Sequence, residues 1–328
     1  MKRPSALPEQ FSVAVLVLLL LGGIAVARSQ EAGSRTPNSG QRDQQTQEPT
    51  FRVNVRLVNV FTTVTDSRGA PVADLKKDDF KVEEDGIPQT ISVFDRESEL
   101  PLSIVLAVDT SPSTQRDFKL EVTSARKFAR SIVRPVDHLA VFQVTEYVVE
   151  KSPFASDMRT IDRGIDSLRV GPGTSIYDAI FLGSEALIDR QGRKVLVLIT
   201  DGGDTTSKTD YQNALRRAQQ SEAIVYSIIV VPVEADAGRN LAGEHALIQI
   251  SHDTGGKYYY AEGIDQLDEA FHKISEELRT QYLIAYYPNR QLSDSPFRRI
   301  NVEVSKKDAD GKPYQVRHRA GYFTAPAK

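Results

Sequence analysis

The hydrophobic pattern divides the chain into stretches of different period. Between Phe51 and Val64 apolar residues alternate: Phe51, Val53, Val55 and Leu57, then, one residue out of phase, Val58, Val60 and Val64. A one-residue slip turns side chains to the other face of a sheet, so a bulge or a strand break is expected near Leu57–Val58. "FKVEEDGIPQTISVF" has the pattern of a hairpin, with Phe80, Val82 and Glu84 outbound, a turn at Asp85-Gly86, and Ile91 and Val93 returning. No helical period occurs before residue 100.

Beyond residue 100 the period changes. Leu102–Val108 is apolar except for Ser103, as a strand buried on both faces should be. Phe118, Val122, Ala125, Ala129 and Ile132 then fall at helical spacing, and Pro135 ends that helix. Strands are predicted at "HLAVFQV", "YVVEKSPF", "KVLVLIT", "AIVYSIIVV" and "KYYYAE". Helices are predicted at "DMRTIDRGIDSL", "SIYDAIFLGSEALID", "DYQNALRRAQQ", "LAGEHALIQISHDTGG", which its glycines close, and "IDQLDEAFHKISEELRT". Such alternation implies an α/β fold: a Rossmann-like, doubly wound, mostly parallel sheet with helices on both faces. From Gln281 the β period returns in "QYLIAYYP", "RRINVEV" and "YQVRHRAGYF". The β segments 51–100 and 281–325 therefore bracket an α/β unit at 101–280. The economical expectation is one β-sandwich with the α/β domain inserted in it, because a few lone strands would leave an apolar face uncovered. Two separate small β units are the alternative.

The N-terminus adds a location. Lys2 and Arg3 precede the uncharged run Ser12–Ala27, which ends Ala25-Val26-Ala27. That layout predicts a secretory signal peptide over residues 1–27. An uncleaved anchor is the rival reading, and it would be the chain's contact with a membrane; the apolar run is shorter than the ~20 residues a spanning helix needs. Residues 28–50 are polar and cannot bury enough surface to offset the entropy of ordering, so a linker is expected there. The expected location is secreted, periplasmic or at the cell envelope. The chain has no cysteine, which excludes disulfides, thiolate zinc sites and thiol nucleophiles. A net charge of -3 without a basic cluster gives no electrostatic footprint for nucleic acid.

Two of the apolar strands end in aspartate, Asp109 after "LSIVLAV" and Asp201 after "VLVLIT". In open α/β sheets ligands sit beyond the C-terminal strand ends, so both acids should face one crevice. Each alone is read most simply as a helix cap; together, with Ser111 and Ser113 at alternate positions after Asp109, they suggest a site. Asp109, Ser111 and Ser113 offer only oxygen, which suits a hard divalent cation such as magnesium, manganese or calcium. Thr174, in "VGPGTSIYDA", stands directly before a helix as an N-cap would, and could also be a ligand. A nucleophilic serine needs a paired base, and none of the five histidines is predicted at a strand tip beside Ser111 or Ser113. Lys194 and Arg193 lie at the wrong end of their strand to hold a phosphate, and "DTSPST" is not a dinucleotide-binding Gly-x-Gly-x-x-Gly. Asp204 is read as a cap for a helix from Thr205 onward, in preference to an acid that supports the site's ligands from behind. Tyr258, Tyr259 and Tyr260 are read as packing residues.

"DTSPS" at 109–113, Thr174 in "GPGTSIYDA" and Asp201 in "LITDGGD" resemble the metal-ion-dependent adhesion site of von Willebrand factor type A domains. The resemblance spans about residues 100–280, and the flanking "DFKVEEDG" and "RHRAGYF" resemble those of bacterial secreted von Willebrand factor A-related proteins. It implies a Rossmann-like sheet with an antiparallel edge strand. It also implies that Asp109, Ser111, Ser113 and Thr174 approach the metal, that Asp201 binds it directly or through water, and that an Asp or Glu of a protein partner takes the remaining position. Pro112 departs from the glycine the family often has there; proline fixes φ and removes one N–H but leaves the ligand side chains in place. The expected function is divalent-cation-dependent protein binding or adhesion. A hydrolase using the same ion and a metal-free structural envelope module are the alternatives.

Overall fold

The computed structural model describes residues 57–96, 100–112, 118–231, 240–290 and 295–324. Its centre is a six-stranded sheet. The strands are β5 (Leu102–Asp109), β6 (His138–Val144), β7 (Val148–Ala155), β8 (Arg193–Thr200), β9 (Ile224–Val230) and β10 (Tyr258–Ala261), in the spatial order β10-β9-β8-β5-β6-β7. All neighbours run parallel except β7, which pairs antiparallel with β6 at the edge. The helices are α1 (Phe118–Ile132), α2 (Met158–Asp166), α3 (Ile176–Leu187), α4 (Tyr211–Ser221), α5 (Leu241–Asp253) and α6 (Ile264–Thr280).

Alternation along β5 shows why its run is apolar. Ile104, Leu106 and Val108 enter a core with α1, α2 and α6, whereas Val105 and Ala107 enter the opposite core with α3, α4 and α5. A strand covered on both faces has no polar position to spare. β5 is followed in sequence by β6 on one side and paired with β8 on the other, so the strand order reverses at β5 and a crevice opens at the C-terminal ends of β5 and β8.

Two further sheets form from both ends of the chain. β1 (Val58–Thr65), β4 (Ile91–Arg96), β11 (Tyr282–Tyr286) and β13 (Gln315–Arg317) make one, in the order β13-β1-β11-β4. β2 (Phe80–Glu84), β3 (Ile87–Gln89), β12 (Phe297–Val304) and β14 (Gly321–Phe323) make the other, in the order β14-β12-β2-β3. Val58, Val60, Phe80, Val82, Tyr282, Ile284, Ile300 and Val302 share one core between them. β1 begins at Val58, where the phase slip predicted a break, while Phe51–Val55 of the first alternating set lie outside the described residues.

The expected hairpin needs correction. β2 turns at Asp85-Gly86, both at positive φ, into β3, not into Ile91 and Val93. The chain then crosses at Thr90 to the other sheet, where Ile91 pairs with Tyr286 and Val93 with Ala285. Local alternation cannot distinguish these outcomes, because strands of either sheet show the same period. "YQVRHRAGYF" likewise divides into β13 and β14, with a corner at residues 318–320.

That corner fastens the sandwich to the end of the α/β unit opposite the crevice. The Ala320 N–H donates to the Asp253 carbonyl at 2.9 Å. Arg319 meets Glu222 at 3.2 Å, and Arg317 meets Glu277 at 2.7 Å and the Gly256 carbonyl at 2.9 Å. Both arginines sit at helix C-terminal ends, where the helix dipole favours a cation. Glu222 occupies the C-cap of α4 at φ 61, a left-handed position where glycine is usual.

The N-terminal start of β5 has its own anchor. Fully buried Asp137 accepts the Leu102 N–H at 2.8 Å, and the Arg134 N–H and guanidinium at 2.9 and 2.8 Å. Burial pushes this carboxyl up, but the bonds from Arg134 and Leu102 outweigh it and hold it below the ordinary value. Asp137→Ala is expected to destabilise the fold by about 1–3 kcal/mol, because buried donors lose their acceptor. A depressed carboxylate contributes its stability above the unfolded pKa and loses it as pH falls through the folded one. Denaturant midpoints of parent and variant should therefore differ at neutral pH and converge in acid below the usual carboxylate range.

Candidate functional site

β5 and β8 deliver the two predicted acids to the same end of the sheet. Asp109, the last residue of β5, is fully buried. Its Oδ1 accepts the Ser111 N–H at 2.9 Å and its Oδ2 accepts the Thr200 hydroxyl at 2.7 Å. Thr200 ends β8, and its Oγ1 also accepts the Gly202 N–H at 3.1 Å. One hydroxyl thus joins the two strand tips and shapes the turn carrying Asp201. Within that turn Gly202 takes φ +87, and the Gly203 N–H reaches Asp201 Oδ1 at 3.2 Å. Helix α5 closes over the turn: a Cβ on Gly243 would lie 1.8 Å from the Gly202 carbonyl oxygen, so this contact requires glycine.

Thr174 arrives on a loop held from both sides. The Gly171 N–H donates to the Thr110 carbonyl at 3.0 Å, next to Asp109. The Glu146 N–H donates to the Pro172 carbonyl at 2.6 Å, and the Ser175 N–H to the Thr145 carbonyl at 2.9 Å. On the other side, the Thr174 carbonyl accepts the Thr205 N–H at 2.8 Å, and the Thr174 N–H donates to the Thr205 hydroxyl at 2.9 Å. The loops after β5, β6 and β8 are therefore joined through the Thr174 segment. Thr174 and Ser111 are buried and Asp201 is partly buried. Ser113 lies outside the described residues.

The cap of α3 differs from expectation. Ser175, not Thr174, is the N-cap residue, and its hydroxyl donates to the Glu146 carbonyl at 2.8 Å. Asp204 supplies the capping acceptor: its Oδ1 takes the Ile176 N–H at 2.8 Å and the Ser207 hydroxyl at 2.5 Å. Asp204 is thus a helix cap, but for α3 rather than for a helix from Thr205 onward, since α4 starts at Tyr211. Its target lies 28 residues earlier in the chain, beyond any local capping signature.

Burial is the main force on Asp109. It drives the carboxyl up to about 6; the bonds from Thr200 and Ser111 oppose the rise, and the charge of Asp201 adds to it. Two acids and several hydroxyls at the strand ends form an oxygen-only donor set, which suits a hard cation with an incomplete shell. Among the described residues no cluster of three or more His, Cys, Asp or Glu could hold a metal, so the candidate set is of the mixed hydroxyl–carboxylate kind. Thr200 was not singled out in the sequence, although a hydroxyl ending an otherwise apolar strand directly before an aspartate is a readable sign of a polar contact at the tip.

The histidines lie elsewhere. His138 opens β6 at the opposite end of the sheet. His245, His252 and His272 are exposed on α5 and α6. His318 is in the sandwich corner, accepting the Val302 N–H at 3.1 Å. Arg193 and Lys194 are at the N-terminal end of β8, away from the crevice, and the Arg193 guanidinium donates to the Leu278 carbonyl.

The raised Asp109 pKa has a signed consequence. Between the unfolded value of 3.8 and about 6 the folded chain holds more protons at this position than the unfolded one, so its contribution falls as pH rises through that window. The loss amounts to roughly 3 kcal/mol above it. In chelator, Asp109→Asn should remove this term: urea midpoints of parent and variant should diverge in the variant's favour from pH 4 to pH 7. Parallel midpoints would contradict the assigned burial cost.

Residues 103–273, more than half of the chain, match the family described as von Willebrand factor type A domain. No curated protein matches. Among solved structures the chain is similar to BatB, a conserved hypothetical protein from Bacteroides thetaiotaomicron, at 17% identity over 55% of this chain and 100% of that one, with a TM-score of 0.44. It is similar to a von Willebrand factor type A protein from Catenulispora acidiphila at 12% identity, covering 75% of this chain and 73% of that one, with a TM-score of 0.48. It is also similar to the pilus adhesin SpaC from Lactobacillus rhamnosus GG at 10% identity, covering 80% and 50%, with a TM-score of 0.47. With its parallel sheet, antiparallel edge strand and matched segment, the chain belongs to the von Willebrand factor type A family.

Proposed function

We propose that the α/β unit binds a divalent cation at the ends of β5 and β8 and, through that ion, a carboxylate of a protein partner. The observation that carries this reading is the pair of acids at the strand tips, Asp109 fully and Asp201 partly buried. Asp109, fully buried, is raised by burial and by Asp201, and its bonded neighbours Thr200 and Ser111 are neutral hydroxyl residues. A divalent ion would balance the two acids. Asp109, Ser111, Ser113 and Thr174 would hold it, with Asp201 directly or through water. Neutral hydroxyl ligands leave such an ion electrophilic, so an Asp or Glu of a partner suits its open position. Magnesium is the first candidate, with manganese and calcium as alternatives. The arrangement binds and does not by itself supply a base for hydrolysis, since Ser111 needs one within reach to become a nucleophile.

The same proposal places the protein outside the cytoplasm. Support comes from the charged start, apolar run and small residues at its end in residues 1–27, with the polar residues 28–50 as a linker. Those residues lie outside the described ones, and no described helix is long and apolar enough to cross a membrane. A protein-binding or adhesion role at the cell envelope follows from the two parts together.

Calorimetric titration of magnesium and manganese into the purified chain tests the site. Binding is expected in the parent and absent in Asp109→Ala and Asp201→Ala, with circular dichroism of all three unchanged. Because a proton competes with the ion for Asp109, apparent affinity should hold above about pH 6 and fall by up to tenfold per unit below it. Full metal binding in both variants would remove the site from the strand tips. Absence of binding in the parent would favour the structural-module reading.

A further inference from the structure

Among the described residues, the side of the crevice rim formed by the β6–β7 turn and the loop before α3 carries an apolar patch. Tyr147 is 61% exposed, Val149 45% and Val170 38%, all large apolar side chains left in water. Hydrogen bonds place them together. Tyr147 closes the turn between β6 and β7, where its carbonyl accepts the Thr145 N–H at 3.1 Å. Val149 pairs in register with Gln143, and the Gln143 side chain accepts the Arg169 N–H at 3.0 Å. Val170 follows Arg169 and precedes Gly171, whose N–H is bonded beside Asp109. The patch is thus continuous with the loop that carries Thr174.

The charges around it are arranged with a direction. Arg169 is exposed, and its guanidinium donates to the carbonyls of Asp166 and Leu168 at 2.7 Å, which leaves the positive charge uncancelled by those neutral acceptors. Glu146 and Glu150 are exposed within and after the β6–β7 turn. An acidic group arriving over the turn meets like charge, whereas one arriving over the 169–174 loop meets Arg169 and the cation position. Apolar contact is available on the turn side, and acid recognition on the loop side.

We propose that this rim is the specificity surface of the site, and that the partner is a protein segment presenting its carboxylate beside a large aliphatic or aromatic side chain. The acid goes to the cation, the apolar side chain covers Tyr147, Val149 and Val170, and Arg169 attracts a further acid on the loop side. This inference rests on the cation-dependent reading above. Tyr147 is the expected anchor, because exposed tyrosines that become buried at an interface contribute disproportionately to binding.

An immobilised array of synthetic hexapeptides, each with a central Asp and every residue type on either side, provides the probe. It is read with the purified chain in magnesium and in chelator, alongside Tyr147→Ser, Val149→Ser and Arg169→Ala. Magnesium-dependent capture should concentrate on peptides with Leu, Ile, Phe or Tyr next to the Asp. Tyr147→Ser should weaken it by roughly tenfold or more, while calorimetric magnesium affinity stays at the parent value. Arg169→Ala should reduce capture most for peptides carrying a second acid. Magnesium-dependent capture with no apolar preference, or unchanged in Tyr147→Ser, overturns the specificity surface and leaves the cation site standing. No capture by a chain that binds magnesium also overturns it. A parent that binds no magnesium overturns the underlying reading instead.

Discussion

A carboxylate buried completely at a strand tip is the constraint on which the crevice depends. Asp109 has no solvent exposure, and its two oxygens are bonded to a hydroxyl from the neighbouring strand and to its own loop backbone. These bonds ease the burial without neutralising the charge. Such an arrangement is tolerable only on a rigid support, because the strand tips must not relax toward water. β5 supplies that support through covered faces on both sides, and Thr200 ties its tip to β8. The structure holds a costly group in place, and strongly perturbed carboxylates of this kind cluster at functional sites.

The opposite end of the α/β unit is organised for the reverse purpose. There, Arg317 and Arg319 of the sandwich corner meet Glu277 and Glu222 at helix ends, and the backbones of residues 253–256 and 317–320 interlock. Opposite charges and helix dipoles agree at that end, whereas like charges face each other at the crevice. Insertion between β4 and β11 puts both chain connections of the α/β unit into adjacent strands of one sheet. The site end is left clear of the sandwich, with the loops after β5, β6 and β8 free to form a recognition surface.

Much of this was legible because it is local. Apolar runs of seven or eight residues announced the buried strands, and helical spacing announced the helices that cover them. Asp109 and Asp201 stood out because an acid at the end of such a run contradicts its surroundings. What escaped is non-local. The assignment of Ile91 and Val93 to the second sheet depends on pairing with β11, almost two hundred residues away. The capping of α3 by Asp204 depends on the loop after β8 folding back across the crevice. Thr200 looked like the final residue of a strand, and its role appears only when β5 lies alongside. In each case the residue type was compatible with the observed contact, but the contact itself is created by the tertiary fold.

Pro112 shows how a departure from a familial pattern can be compatible with the same geometry. Proline lacks an N–H, but the donor that Asp109 uses in this loop is the Ser111 N–H, one residue earlier. The missing donor is therefore not one that the buried acid requires. The ring instead restricts Ser111, since a residue before proline is biased to extended conformations. Pro112 is itself exposed, so the ring displaces no core side chain. A glycine there would allow the loop many conformations and would add to the entropy lost on ordering it; a proline in a compatible conformation lowers that loss by about 0.4–1 kcal/mol. The substitution thus exchanges loop freedom for order directly beside the buried acid, at the point where a fixed arrangement of hydroxyls matters most.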